Sequence, residues 1–466
     1  MKRILSLLLT LALLLPCLAA CESGDTPSAS GGTTTSKPAQ NADHEEAVEA
    51  DYSDFEMPEE TDSLTVYGYS FISNALSHAV EIFRSLYPDV KVDYQLLSQD
   101  EYDTRIRAEI PAGRGPDVLL GDVAVLPDIY KTMSTGVFTD LGGFMAKDEE
   151  YNPDDYYDSV MKGGVLFGCQ YLLPVTFGVN CVMTTQELLD ENGISTDSLH
   201  TWEGFRSACE TFHTNHPRAR LFAHDAPQYY YTIAFLNDRG LRMIDYEKNA
   251  VSFDENQFRQ MIDLCRLYCN PTVPTDSLYG VEHEDIHNGE CFLINGFSSI
   301  YKIFYTSELM RYDYGETPRI IGVPNEQDGI TAEIKYYAAV PGGSANKLNA
   351  WRFIKILLTD ELQYGLKNGD ETVHFFNQGG GGSPVRKESF LKAVEEHASF
   401  YSLSTEEDRE AFCQLAEEVT DAQMTPTIIA KYVTQYMGSY ITSKDGSNYD
   451  KVFAKLKSTL ELYKDE

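Results

Sequence analysis

Tryptophan is almost missing: Trp202 and Trp351 are the only two in 466 residues. The chain has 30 Tyr and 23 Phe, so any flat surface for stacking must come from those two types. Positive charge is scarce as well, with 37 Lys and Arg against 72 Asp and Glu. A surface of that sign repels nucleic acid and anionic lipid headgroups, which excludes both as partners, and it disfavours an anionic substrate. No segment beyond the first few residues offers about eighteen consecutive apolar side chains, so none spans a bilayer as a helix. The chain has nine cysteines and no C-x-x-C spacing. Seven of them follow Cys21, an odd count that no complete disulfide framework can use, and several sit in apolar runs as small buried hydrophobes. Cys265 and Cys269 stand one helical turn apart, a spacing that suits core packing better than a soft metal.

What is present starts with a leader. Lys2-Arg3 is a positive n-region, Ile4 to Leu15 a short apolar core, and Leu18-Ala19-Ala20-Cys21 closes it with small residues. Leu-Ala-Ala-Cys resembles the bacterial lipobox, in which the cysteine carries lipid and becomes the mature N-terminus. That implies a signal peptide over 1–20 and a lipid anchor, palmitate included, at Cys21 on the extracytoplasmic face of a bacterial membrane. The next stretch is rich in Ser, Thr, Gly, Asp and Glu and reads as a disordered tether over 21–61. With the leader gone, 35 basic residues face 72 acidic ones, a formal charge of −37.

Beyond the tether, strand and helix signals alternate. Leu64 to Tyr67 reads as a strand, and Ala75, Leu76, Ala79, Ile82, Phe83 and Leu86 recur at helical spacing. Val90 to Tyr94 alternates as a second strand, a helix runs through Ile106, and Asp117 to Gly121 reads as a buried strand with Asp122 at its carboxyl end. Such a βαβ rhythm predicts a parallel sheet with right-handed crossovers. Further on, Cys291-Phe292-Leu293-Ile294 is an apolar run broken by Asn295-Gly296, a buried strand ending on a glycine. Ligands in open α/β sheets bind beyond the carboxyl ends of strands, which puts Phe297 and Ser298 at the rim of a site.

Eight motifs in order resemble the group-1 extracellular solute-binding proteins of ABC importers, the carbohydrate binders typified by the maltose-binding protein. They run from Tyr87-Pro88-Asp89-Val90-Lys91-Val92 through Ala112-Gly113-Arg114-Gly115-Pro116-Asp117-Val118 and Ser134-Thr135-Gly136-Val137-Phe138-Thr139-Asp140-Leu141. Leu173-Pro174-Val175-Thr176-Phe177-Gly178-Val179-Asn180, Thr201-Trp202-Glu203-Gly204-Phe205 and Gly289-Glu290 with Ile294-Asn295-Gly296 follow. Ser344-Ala345-Asn346-Lys347 leading into Ala350-Trp351-Arg352-Phe353-Ile354, and Gly382-Ser383-Pro384-Val385, complete the set. The resemblance implies a periplasmic-binding-protein-like α/β fold of two lobes joined by hinge crossings, with ligand in the cleft between them. It places lobe 1 at 62–176 plus 337–385 and lobe 2 at 177–336 plus 386–466. It also implies a monomer without cofactor or catalytic residues, which closes on an oligosaccharide and is recognised by ABC permease subunits.

A sugar needs aromatic faces for its C–H surfaces and Asp, Asn, Ser or amide groups for its hydroxyl rim. Matched position by position, the resemblance implies ligand contacts at Tyr69, Ser70 and Phe71 after the first strand and at Asp122 after the third. Thr176 and Phe177 fall at the hinge, Tyr229 and Tyr230 in the run Gln228 to Tyr231, Phe297 and Ser298 after the Cys291–Ile294 strand, Tyr336 on the second crossing, and Tyr432 on a late helix. Asp122 could serve instead as a helix N-cap. Ser298 departs from the family, some of whose members carry a stacking aromatic there. Both tryptophans fall in packing motifs.

The competing enzyme reading rests on His283-Glu284-Asp285-Ile286-His287, an H-E-x-x-H pattern that puts two histidines on one helix face for zinc with the glutamate as base. The residues before it lack the apolar stripe that buries such a helix, and Asn288-Gly289 ends it at once. A further alternative keeps the fold and presents ligand to a membrane sensor.

Overall fold

Ser63–Tyr69 (β1), Lys91–Leu97 (β2) and Val118–Asp122 (β3) form the parallel core of the body. The computed structural model describes residues 50–110, 112–122, 126, 128–223, 235–269, 282–295, 300–369, 371–376 and 381–466, all within one compact unit, 47–466. Tyr229, Tyr230, Phe297, Ser298 and Cys21 lie outside the described residues. β1 is followed by Ser73–Leu86 (α1), which turns Ala75, Leu76, Ala79, Val80 and Phe83 inward on one stripe. β2 leads to Gln99–Glu109 (α2), whose start is held by a capping box between Ser98 and Glu101.

The parallel core is extended by strands from later in the chain, through three antiparallel pairs and one parallel pair, that of Ile330–Ala339 with Val419–Gln423. Leu172–Val179 (β4), Ile330–Ala339 (β9), Ser383–Pro384 (β10) and Val419–Gln423 (β11) join it in the order β10-β4-β9-β3-β1-β2, with β11 beside the first half of β9. A second group comprises Cys181–Thr185 (β5), Arg220–Phe222 (β6), Cys291–Leu293 (β7) and Pro318–Gly322 (β8). β6 and β7 run parallel, β5 and β8 antiparallel, and a bridge from Met183 to Ile294 links the pairs. The strand read from Cys291 to Ile294 is therefore there, with Cys291, Phe292, Leu293 and Ile294 all buried.

Several motif residues act as locks. The Asp117 carboxylate accepts from the Thr65 backbone N–H at 2.7 Å, from Ser344 Oγ at 2.7 Å and from Asn346 Nδ2 at 3.0 Å. It thereby ties β1 to the turn ahead of Lys347–Leu357 (α3), three bonds that a buried carboxylate requires. Trp202 and Trp351 are buried, and their indole N–H groups donate to Gln260 and Asp148.

Residues 50–61, assigned above to the tether, lie against the body. Tyr52 donates its hydroxyl to Asp140 at 2.7 Å, and the Phe55 ring meets Phe144 edge-on at 5.0 Å. Both rings sit over Gly142-Gly143 at the start of a short helix, Gly142–Lys147. A Cβ at Gly142 would fall 2.2 Å from the Tyr52 hydroxyl, and one at Gly143 2.4 Å from the Phe55 ring. The tether reading averaged a polar stretch and overlooked two aromatic plugs at its end.

Candidate functional site

The carboxyl ends of β1 and β3 lie at one edge of the large sheet, where a ligand meets an open α/β sheet. Register fixes who stands there. Gly68 is level with Leu120, and Tyr336 of β9 pairs with Asp122 on one side and Thr176 of β4 on the other. Tyr69, Asp122 and Tyr336 therefore gather at one level. β9 is irregular here: its register against β4 shifts between Ile334 and Tyr336 and again before Tyr337. Burial pushes the Tyr336 phenol up to about 12, with the Asp122 carboxylate and Tyr69 adding to the shift. Tyr69 is raised by burial first and by Asp122 second. Both phenols stay protonated donors at neutral pH.

Aromatic faces flank this level. Phe71 lies 5.1 Å from Tyr69 between ring centroids and is 71% exposed, so most of its ring is open to a ligand. Ser70 beside it is exposed. The Phe376 ring lies 6.2 Å from Tyr336. Sequence reasoning missed Phe376, which follows a short hairpin, Leu366–Asn368 with Glu371–Val373, and carried no motif signal.

The other implied contacts are placed differently. Phe177 is fully buried, packed against Tyr157 at 5.4 Å and Phe390 at 5.9 Å, and Thr176 is buried too. Neither presents a face to solvent. Asp122 ends β3, and it is not the N-cap of the next described helix. The N-cap role falls to Asp128, which accepts from the Lys131 N–H ahead of a short helix, Ile129–Ser134. Tyr432 lies on Thr427–Ile441 (the late helix), but its ring packs edge-on to Tyr463 at 5.7 Å.

A different face of that late helix lines open space. Thr427, Ala430, Lys431 and Thr434 recur at three and four, and with Thr425, Asn237 and Glu333 they wall a cavity of about 580 Å³. Polar side chains stand around it, but most of the surface it exposes is apolar, so it offers a ligand C–H contact with a few hydrogen-bonding groups at its edge. Glu333 stands on β9 three residues before Tyr336, so one strand carries both the cavity wall and the aromatic level. Lys335 donates to Glu333. Asp238 lies beside them, and burial together with the Glu333 charge pushes its carboxyl up to about 8, against the pull of Lys335.

The histidine pair is engaged elsewhere. His283 Nε2 is 2.6 Å from Asp313 Oδ2, and His287 Nδ1 is 2.9 Å from Glu316 Oε1, its ring stacked on Tyr314 at 3.8 Å. Each imidazole is thus turned to its own carboxylate. Among the described residues no group of three or more His, Cys, Asp or Glu is arranged to hold a metal ion. No described helix is long and apolar enough to cross a membrane.

Residues 61–264 match the model of a bacterial family, the extracellular solute-binding proteins. Among solved structures, the chain is similar to the sugar-binding protein MalE from Xanthomonas citri, with 15% identity and a TM-score of 0.62 over 86% of this chain and 97% of that one. It is similar to the cyclic α-maltosyl-1,6-maltose binding protein from Arthrobacter globiformis, at 16% identity and a TM-score of 0.56 over 87% and 100%. A family 1 extracellular solute-binding protein from Alicyclobacillus acidocaldarius matches at 14% identity and 0.56, again over 87% and 100%. At these identities the likeness establishes the fold.

Proposed function

We propose that this chain works as a bacterial extracellular solute-binding protein, capturing a carbohydrate between its lobes and delivering it to an ABC importer, a reading supported by the family match over 61–264 and by the fold. The observation that carries the reading is the level of Tyr69, Asp122 and Tyr336, with the exposed ring of Phe71 beside Tyr69 and the ring of Phe376 beside Tyr336. Rings take the C–H faces of a sugar, and the carboxylate and phenols take its hydroxyls. Of these rings Phe71 is the one broadly exposed, and Tyr69, Tyr336 and Phe376 are buried, so the oligosaccharide reading rests on the resemblance.

In this reading Cys21 carries the lipid and the protein works as a monomer at the outer face of the membrane. Lobe 1 comprises 62–176 plus 337–385 and lobe 2 comprises 177–336 plus 386–466. The three crossings fall on β4, β9 and β10, which are neighbours in one sheet and can flex together. Closure follows from ligand touching both sides, and the closed form is what the permease subunits bind. No bond is made or broken.

The test is a thermal-shift screen of residues 47–466 against a panel of glycans, with EDTA and with added zinc. A ligand at a hundred times its dissociation constant stabilises by roughly 2.7 kcal/mol. One class of glycan raising the melting temperature regardless of EDTA supports the proposal. No response to any glycan, with strong stabilisation by zinc, would sink it.

A further inference from the structure

Three of the ten histidines, His78, His374 and His397, gather around the hairpin Leu366–Asn368 with Glu371–Val373 and the two residues that follow it, His374 and Phe375. The same stretch ends on Phe376, whose ring stands beside Tyr336, both rings being almost closed to water. We propose that this hairpin is an acid-released flap: Glu396 and His397, on the helix Lys387–Ser399, hold it down at neutral pH, and a proton taken up by His397 frees it and uncovers Tyr336. That the flap serves a ligand rests on the reading above; its release does not.

One carboxylate pins the hairpin. Glu396 Oε1 accepts from the Thr372 hydroxyl at 2.6 Å, with Lys367 Nζ at 3.9 Å, and Glu396 Oε2 lies 3.5 Å from His374 Nε2. His374 Nδ1 donates to the Tyr364 carbonyl at 2.6 Å, which leaves its other nitrogen facing that carboxylate. Burial raises the Glu396 carboxyl, but Thr372, Tyr364, His374 and Lys367 outweigh it and hold the group below its ordinary range. On the far side the His78 ring stacks on Phe375 at 4.2 Å, with Glu361 2.6 Å from its Nε2 and Glu81 3.8 Å from its Nδ1. A charge on His78 has two carboxylates to meet it, so acid leaves that contact in place.

The weak point is His397. Its ring lies 5.6 Å from that of His374 and 6.4 Å from that of Phe400, and its Nδ1 is enclosed with no hydrogen-bond partner among the described residues. Glu396 can meet a charge on His374; a second charge, on His397, would have a cation beside it and no acceptor of its own. Burial, and then the charge of His374, pull His397 down to about 4 against the field of Glu396. A histidine freed into water takes its proton near 6.5, so docking is at full strength above that value and weakens as pH falls towards 4. Glu396, depressed as well, acts in the same direction at lower pH. Between pH 7.5 and 5.0 the His397 contribution favours release by up to roughly 25-fold.

The experiment follows amide exchange of residues 47–466 by mass spectrometry at pH 7.5 and 5.0, with no ligand added and each rate divided by the intrinsic rate at that pH. A two-stranded hairpin alone is marginal in water, so its amides exchange once it is undocked. The relative rate for Leu366–Asn368 and Glu371–Val373 should rise roughly ten- to 25-fold from pH 7.5 to 5.0, while the helix Trp202–Asn215 stays protected. His397→Leu, which keeps the apolar bulk and takes no proton, should stay protected at pH 5.0. Glu396→Gln should exchange fast already at pH 7.5. A relative rate that does not change with pH in the wild-type protein overturns the proposal, whatever the variants do. So does a His397→Leu protein that responds to acid as wild type does, and so does a loss of protection shared by Trp202–Asn215, which would mean global unfolding. Because no ligand enters the measurement, its failure leaves the proposed function standing, and a glycan screen without a hit leaves the flap standing.

Discussion

Replacing Phe177 by alanine separates a packing residue from a ligand contact. Its ring is wholly enclosed on β4, between Tyr157 and Phe390, with Ile334 of β9 and Ser383 of β10 as its strand partners. Truncating such a phenylalanine costs about 3–5 kcal/mol, the two aromatic pairs being part of that sum. For a body of roughly 420 residues the unfolding entropy is about 0.9 kcal/mol per degree, so the melting temperature should fall by about 3–6 °C. Differential scanning calorimetry reads this directly. Once the protein is folded, affinity for the glycan identified in the screen should stay within about twofold. The control is Phe71→Ala at an exposed position, which should leave the melting temperature within about a degree because surface truncations cost little. It should weaken glycan binding about five- to tenfold through the lost stacking face. If Phe177→Ala instead leaves the melting temperature alone and lowers affinity tenfold, the placement of Phe177 in the core is wrong.

Other predictions concern the cleft, the strap and the histidines. Asp238 has a folded pKa raised to about 8. Its contribution to stability is full below the ordinary carboxylate range and is lost as pH rises through 8. Asp238→Asn should therefore gain on wild type as pH is raised from 5 to 9, read as a widening gap in melting temperature; a constant gap would show that Asp238 ionises normally. Gly143→Ala puts a methyl group into the Phe55 ring and should release residues 50–61. Limited proteolysis should then cut near Phe55 faster than in wild type, with the core fragment intact; unchanged cleavage would mean that the strap is not held there. His287→Ala should leave glycan affinity unchanged and abolish no zinc-dependent stabilisation, since His287 is turned to Glu316 and Tyr314. A zinc-dependent rise in melting temperature lost in this variant would revive the metal reading. Lys431→Ala on the cavity wall should weaken glycan binding several-fold with little effect on stability.

The α/β order was legible because hydrophobic period is local. Leu64 to Tyr67, the helical stripe from Ala75 to Phe83 and the run Cys291 to Ile294 each declare their element within a few residues, and each is where it was read. Tyr69 could be set at a strand end because a strand's carboxyl end is a property of the sequence once the strand is found. Which faces look outward was not legible. Phe177 and Thr176 share a hinge motif, yet β9 and β10 flank β4 and bury them. Tyr432 stands one residue from Lys431, and that single step turns it off the cavity face towards Tyr463. Phe376 beside Tyr336 and the Gly142-Gly143 cradle for Tyr52 and Phe55 both depend on segments that meet only in the folded chain. Composition and period determine which elements form and how much charge surrounds them, because those act through neighbours in sequence. Which side chains share a cavity is decided by register and by contacts hundreds of residues apart, and only the tertiary structure holds that information.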